Sequence, residues 1–256
     1  MSTATFPERR TAIVTGVGAP RGIGRVVARR LASEGWSVGL VDISEDGVRE
    51  FTEQLRGEGV DAVGVPTDIT SPDSVQAAME VFDTQLPPVV GLVNLAGIPS
   101  PTPLLELGLN EWNRTMAVNA TGTLVMMQAA GRRMVETGVG RIVNISSITA
   151  IDGGGTFSKS GYAAAKAAVQ GLTRGGAREL GPLGITVNCI LPGPIDTDIM
   201  GGKLTDERKA GMSADIPVGR VGQPDDIAAT IAFLLSEGAA FVNGANINVD
   251  GGKHMH

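Results

Sequence analysis

The chain has 256 residues, 42% of them hydrophobic, with 36 glycines and a formal net charge of −6. That length suits one α/β domain over residues 1–256, with 1–10 and 253–256 peripheral, and the acidic balance excludes general nucleic-acid binding, which uses a basic face. A lone cysteine, Cys189, rules out an internal disulfide and fits the cytoplasm, where thiols stay reduced; both histidines, His254 and His256, fall in the last three residues, which excludes a histidine-based triad or metal site.

The segment Met1–Arg10 is polar and charged and lacks the apolar core of a signal peptide. No run approaches the ~20 apolar residues of a membrane span, so a membrane partner is not expected. Short Val- and Ile-rich runs predict strands at Thr11–Thr15, Ser37–Val41, Ala62–Val65, Val89–Asn94, Arg141–Ser146, Ile185–Leu191 and Asn246–Val249. Helical patterns lie between them at Ile23–Ser33, Glu45–Arg56, Pro72–Gln85, Asn110–Glu136, Gly161–Glu179 and Pro224–Leu235. Pro72 and Pro224 occupy first-turn positions, where a missing N–H costs nothing. Strand–helix alternation of this kind predicts a doubly wound, mostly parallel Rossmann-like α/β sheet with helices on both faces.

The first predicted strand runs into Gly16-Val17-Gly18-Ala19-Pro20-Arg21-Gly22-Ile23-Gly24, and a helix follows at once. Glycines let a backbone approach a pyrophosphate, and the helix N-terminus supplies free N–H groups and a positive dipole end. Asp42, eighteen positions after Gly24, closes the second strand in Leu40-Val41-Asp42-Ile43. A carboxylate there accepts hydrogen bonds from adenosine ribose hydroxyls and repels a 2′-phosphate, which favours NAD over NADP. Arg21 points the other way, because a guanidinium beside the glycines can hold that phosphate. Asp68-Ile69 after the third strand is placed to meet the adenine edge, and the small residues of Asn94-Leu95-Ala96-Gly97 after the fourth let a cofactor lie close.

The only tyrosine, Tyr162, stands four residues before Lys166 in a predicted helix, so the two share a face. A nearby ammonium favours the phenolate and is expected to lower the phenol pKa from about 10, which makes it useful for acid–base chemistry. Cys189, in an apolar run, is expected to be a buried, inert thiol.

Together these residues resemble the short-chain dehydrogenase/reductase family in its single-domain form. The likeness runs from Thr15 to Gly252 and rests on the glycine-rich turn, Asn94-Leu95-Ala96-Gly97, Asn119, Ser147, the Tyr162/Lys166 pair and Pro192-Gly193-Pro194-Ile195-Asp196-Thr197. What it implies is hydride transfer between a nicotinamide and a small alcohol or ketone. Tyr162 would be the general acid/base, Lys166 would lower its pKa and hold the nicotinamide ribose, and Ser147 would orient the substrate oxygen. Asn119 would hold a relay water, while the Ile195 backbone and Thr197 would anchor the nicotinamide carboxamide beside Pro192 and Gly193. The family's habit of assembly through the two long helices implies a homotetramer. Three departures stand out: five residues separate Gly16 from Gly22, fourteen separate Ser147 from Tyr162, and Leu95 replaces a frequent asparagine. The first two loops are longer than usual, and Ser146 competes with Ser147 for the catalytic position.

The preferred expectation is an NAD-dependent secondary-alcohol dehydrogenase or ketone reductase. An NADPH-dependent 3-oxoacyl-[acyl-carrier-protein] reductase is the alternative, and a non-catalytic nucleotide sensor is a distant one. Enoyl-thioester reductases space their tyrosine and lysine more widely. Substrate walls are expected after Gly97, at Ile151–Phe157 and along a lid at Ile195–Asp215, mixing Ile98, Phe157, Ile199 and Met200 with Asp152, Asp198 and Lys203.

Overall fold

The computed structural model describes residues 5–155, 158–200, 202 and 204–255. Seven strands form: β1 (Thr11–Thr15), β2 (Ser37–Asp42), β3 (Ala62–Pro66), β4 (Val89–Asn94), β5 (Gly140–Ile145), β6 (Ile185–Pro192) and β7 (Asn246–Val249). The helices are α1 (Ile23–Ser33), α2 (Glu45–Gly57), α3 (Pro72–Gln85), α4 (Leu109–Met116), α5 (Gly122–Thr137), α6 (Thr149–Asp152), α7 (Ser160–Leu180), α8 (Asp206–Ser213) and α9 (Pro224–Leu235). The strands are short, and β1, β4, β5 and β6 are buried along their whole length, as parallel strands covered on both faces are, whereas the edge strands β3 and β7 are only partly buried.

All strand pairs are parallel, and the sheet order is β3-β2-β1-β4-β5-β6-β7. The chain therefore winds outward from β1 to β3 and then reverses to β4. At such a reversal the neighbouring connections leave on opposite faces, and a crevice opens at the carboxyl ends of the strands. One apolar core packs α1, α2 and α9 against the sheet through Val27, Leu31, Phe51, Leu55, Ile227 and Ile231. The second packs α3, α5 and α7 on the other face through Met79, Phe82, Met126, Met134 and Ala177.

Two features differ from the sequence expectation. The predicted helix over Asn110–Glu136 is two helices, α4 and α5, joined by a wider π-type turn at Ala117–Thr121. Such a turn inserts a residue into the 3.6 period, and periodicity averages over it. The short α6 and the isolated α8 were also not expected, since four residues are too few to show a period and α8 has no buried residue to produce one.

Candidate active site

The crevice at the strand carboxyl ends is a cleft of about 1230 Å³. Its floor at β1 is built by close backbone approaches. Gly16 has φ +77°, and a Cβ there would stand 2.8 Å from the Ala96 amide nitrogen; one at Gly24 would stand 2.3 Å from the Gly16 carbonyl oxygen. The Thr15 hydroxyl accepts hydrogen bonds from the Leu95 and Ala96 amides, both at 3.0 Å, and so ties the end of β1 to that of β4. The long glycine-rich loop closes on itself through Gly22 N–H to the Ala19 carbonyl at 3.0 Å. Buried Arg25 braces it from α1 by donating to the Val17 and Gly18 carbonyls. No side chain caps the first turn of α1 and no acid lies in it, so its amides face an incoming anion.

Asp42 stands at the end of β2 against this loop. One carboxylate oxygen accepts from Gly18 N–H at 2.8 Å and the other from Ser44 N–H at 3.0 Å. Ile43 beside it is exposed on the cleft rim. Asp68 and Ile69 also line the cleft; the Asp68 N–H donates to the Ser74 hydroxyl, and its carboxylate accepts from the Thr70 amide and hydroxyl. Ala96 and Gly97 form the wall beyond β4, and Pro192, Gly193, Ile195 and Thr197 form it beyond β6, with Gly22, Ile23 and Gly24 opposite.

Three expected residues lie elsewhere. Asn94 faces the protein interior, donating to Asn144 at 2.9 Å, and Asn144 in turn donates to Thr173. The polar end of β4 is thus spent on a buried network rather than on the cleft. Arg21 is outside the cleft wall: one arm pairs with Asp196 at 2.8 Å and the other with Asp198 at 3.0 Å. It is therefore not free to grip a 2′-phosphate. Asn119, fully buried in the π-type turn, donates to the Thr115 and Ile98 carbonyls and accepts from the Ile98 amide. It clamps the Gly97–Ile98 segment from behind, where a Cβ on Gly97 would meet its oxygen at 2.6 Å.

Tyr162 sits in the first turns of α7. That helix start is seated under the loop before α4, with Lys159 N–H donating to the Ser100 carbonyl at 2.9 Å and Gly161 packed close to the Ser100 hydroxyl. The same loop is stapled by Ser100 and Thr102, which both donate to Glu111 at 2.7 Å and hold its carboxyl below the usual range. Ser147, past β5, hydrogen-bonds the Tyr162 phenol, whereas Ser146 is buried and donates to the Lys166 backbone carbonyl. Of the two serines, Ser147 is the one beside the phenol. The extra length between Ser147 and Tyr162 is taken up by α6 and by Gly153 and Gly154, both at positive φ.

Lys166 is buried, 5.6 Å from the Tyr162 ring centre, and donates to the Ile145 carbonyl at 2.8 Å. The expected lowering of the phenol pKa is not found. Burial pushes Tyr162 up to about 12, only partly opposed by the Ser147 hydrogen bond. Burial likewise drives Lys166 down to about 8, because its ammonium lies in the protein interior with a single carbonyl acceptor. Behind the lysine, burial raises the Cys189 thiol to about 11, which leaves it unreactive.

Among the expected substrate walls, Ile98, Asp152, Asp198, Ile199 and Asp215 line the cleft; Phe157, Lys203 and the Met200 side chain lie outside the described residues. Sequence reasoning missed three cations of the cleft wall, Arg114, Arg208 and Lys253. Lys253 belongs to a tail expected to be peripheral. Asp250 instead folds that tail back, accepting from the Gly252 and His254 amides, and the Asp-Gly-Gly turn at 250–252 was its only sequence signal. Among the described residues no group of histidine, cysteine and acidic side chains could hold a metal ion, and no helix is long and apolar enough to cross a membrane.

Comparison with known proteins places these observations in a lineage. The family described as enoyl-(acyl carrier protein) reductase matches residues 16–254. A 3-oxoacyl-[acyl-carrier-protein] reductase of Pseudomonas aeruginosa is 37% identical over 97% of this chain and 98% of its own. The short-chain reductase NovJ of Streptomyces niveus is 38% identical over 96% of this chain and 94% of its own. Among solved structures, an actinorhodin polyketide ketoreductase variant with NADPH superposes with a TM-score of 0.90 at 33% identity, covering 97% of this chain and 98% of that one.

Proposed function

Because the chain belongs to the short-chain dehydrogenase/reductase family, as an oxidoreductase acting on CH–OH or ketone groups, we propose that it interconverts a secondary alcohol and a ketone with NAD(H), as one domain over residues 1–256. The observation that carries this reading is Ser147, Tyr162 and Lys166 clustered on one wall of the cleft, opposite a glycine-rich floor. The floor fits a dinucleotide: Gly16 and Gly24 leave no room for a Cβ, the α1 amides are uncapped, and Asp42 is oriented by two backbone N–H groups. When bound, the nicotinamide supplies the hydride.

The protein's own residues handle the proton. With its pKa pushed up to about 12, the Tyr162 phenol is protonated at neutral pH and so carries the proton that a ketone oxygen takes up. Ser147 orients that oxygen from the other side. Lys166 keeps a positive charge near the ring when protonated and so favours the phenolate left behind. Asn119 acts at one remove, by fixing the Gly97–Ile98 wall.

NAD is preferred on two grounds. Asp42 ends β2 with its carboxylate held against the glycine-rich loop, from which it would repel a 2′-phosphate, and Arg21, the loop cation that would oppose it, has both arms on Asp196 and Asp198. The protein works in the cytoplasm as a homotetramer, with α5 and α7 forming the contact; Ala167 and Gly171 are exposed along α7 and would let a twin helix approach.

A second reading, an NADPH-dependent 3-oxoacyl-[acyl-carrier-protein] reductase, is favoured by the relatives at 37% identity. Assay of wild type and Tyr162→Phe on a panel of ketones, alcohols and 3-oxoacyl thioesters, each with NADH and NADPH, separates the two. Turnover of ketones with NADH, lost in Tyr162→Phe, supports the first. Reaction of acyl thioesters alone with NADPH replaces it with the second, and dinucleotide binding without turnover leaves a sensor.

A further inference from the structure

Arg21 makes a contact that the sheet order turns into a mechanical statement. Its loop follows β1, while Asp196 and Asp198 follow β6, three strands away in the order β1-β4-β5-β6. At ~4.8 Å per strand the two loops start about 14 Å apart. The ion pairs therefore tie the glycine-rich loop after β1 to the segment after β6, past the carboxyl ends of β4 and β5.

The far end of this bridge is tied to the lid. Asp196 is buried and bonded on three sides: by Arg21, by Lys209 of α8 at 2.6 Å on its other oxygen, and by the Leu204 amide at 3.4 Å. Helix α8 has no buried residue of its own. Buried Leu204 and Ile216 pin the chain at either side, and between them the Lys209–Asp196 pair holds the helix so that Gly211 and Met212 face the cleft.

We propose that Arg21, Asp196, Asp198 and Lys209 form an ionic strap between the glycine-rich loop and the α8 lid that holds the lid down and opens to admit and release the dinucleotide. The proposal rests on the dinucleotide reading above, and it gives Arg21 a positioning task in place of a phosphate contact. Asp196 is the shared clasp, and Asp198, more exposed, is the outer hook.

Two measurements on the full chain test it, using wild type, Arg21→Ala, Asp198→Asn, the double variant and Lys209→Ala. Hydrogen–deuterium exchange of the ligand-free proteins reads the lid directly. Amides of residues 196–200 and 204–215 are expected to exchange at least fivefold faster in Arg21→Ala and in Lys209→Ala, which leaves the glycine-rich loop untouched. Stopped-flow release of NADH is expected to be five- to tenfold faster in both, about threefold faster in Asp198→Asn, and no faster in the double variant than in Arg21→Ala. Exchange within twofold of wild type in both variants overturns the strap, as does a double variant whose effect on release is the product of the two singles. If wild type binds neither NADH nor NADPH, the functional reading fails, and the exchange result still judges the strap.

Discussion

Replacing Lys166 by methionine is expected to make the folded protein more stable at neutral pH while removing its chemistry. The ammonium of Lys166 is buried, and its pKa falls from 10.5 to about 8. That difference corresponds to about 3 kcal/mol of unfavourable free energy in the charged folded state. Methionine of similar length removes this cost but strands the Ile145 carbonyl, which now accepts from Nζ at 2.8 Å. An unsatisfied buried carbonyl costs about 1–2 kcal/mol, so the net gain at pH 7 is about 1–2 kcal/mol. The folded pKa lies below the unfolded one, so the unfolded chain holds more protons between them and wild-type stability rises through that window, pH 8 to 10.5. Urea titrations of both proteins at pH 7 and pH 10 should therefore show the advantage of Lys166→Met shrinking by about 2 kcal/mol. Tyr162 and Cys189, pushed up to about 12 and about 11 by burial, stay largely protonated up to pH 10 and add little to the difference. A variant about 2 kcal/mol less stable than wild type at pH 7, with no change at pH 10, would refute the reasoning.

Tyr162→Phe should fold normally and lose about 10²–10⁴-fold in turnover, the usual value of a general acid, in steady-state kinetics. Because the phenol stays protonated up to about 12, ketone reduction should hold its rate from pH 6 to 8 while alcohol oxidation climbs with pH; an oxidation rate that is flat from pH 7 to 10 contradicts the assigned phenol. Gly24→Ala should abolish dinucleotide binding or unfold the loop, since its Cβ would sit 2.3 Å from a backbone oxygen, and calorimetric titration with NADH checks this. Asp42→Ala should raise the NADPH-to-NADH ratio of kcat/KM at least tenfold; a wild type that already prefers NADPH defeats the reading of Asp42. Asn94→Ala should lower stability by about 2 kcal/mol in urea by stranding Asn144.

The chain order of Val- and Ile-rich runs and amphipathic stretches was enough to define the sheet. Parallel strands buried on both faces are mostly apolar, and a glycine cluster between the first strand and helix has few other uses. The spacing of Tyr162 and Lys166 was equally legible, because helical neighbours four apart share a face whatever surrounds them. The direction of the pKa shifts was not, because a phenol's charge state depends on how much water the fold removes as well as on a nearby cation. Asn94 and Arg21 show the same limit: Asn94 ends β4 and Arg21 lies in the loop after β1, and only the tertiary arrangement gave them Asn144 and the pair Asp196 and Asp198 as partners. Local pattern determines which elements form and which side chains a turn can tolerate. Which polar group meets which, across 100 or more residues of chain, is decided when the two cores pack and the strand ends converge, as with the Arg21–Asp196 contact spanning 175 positions.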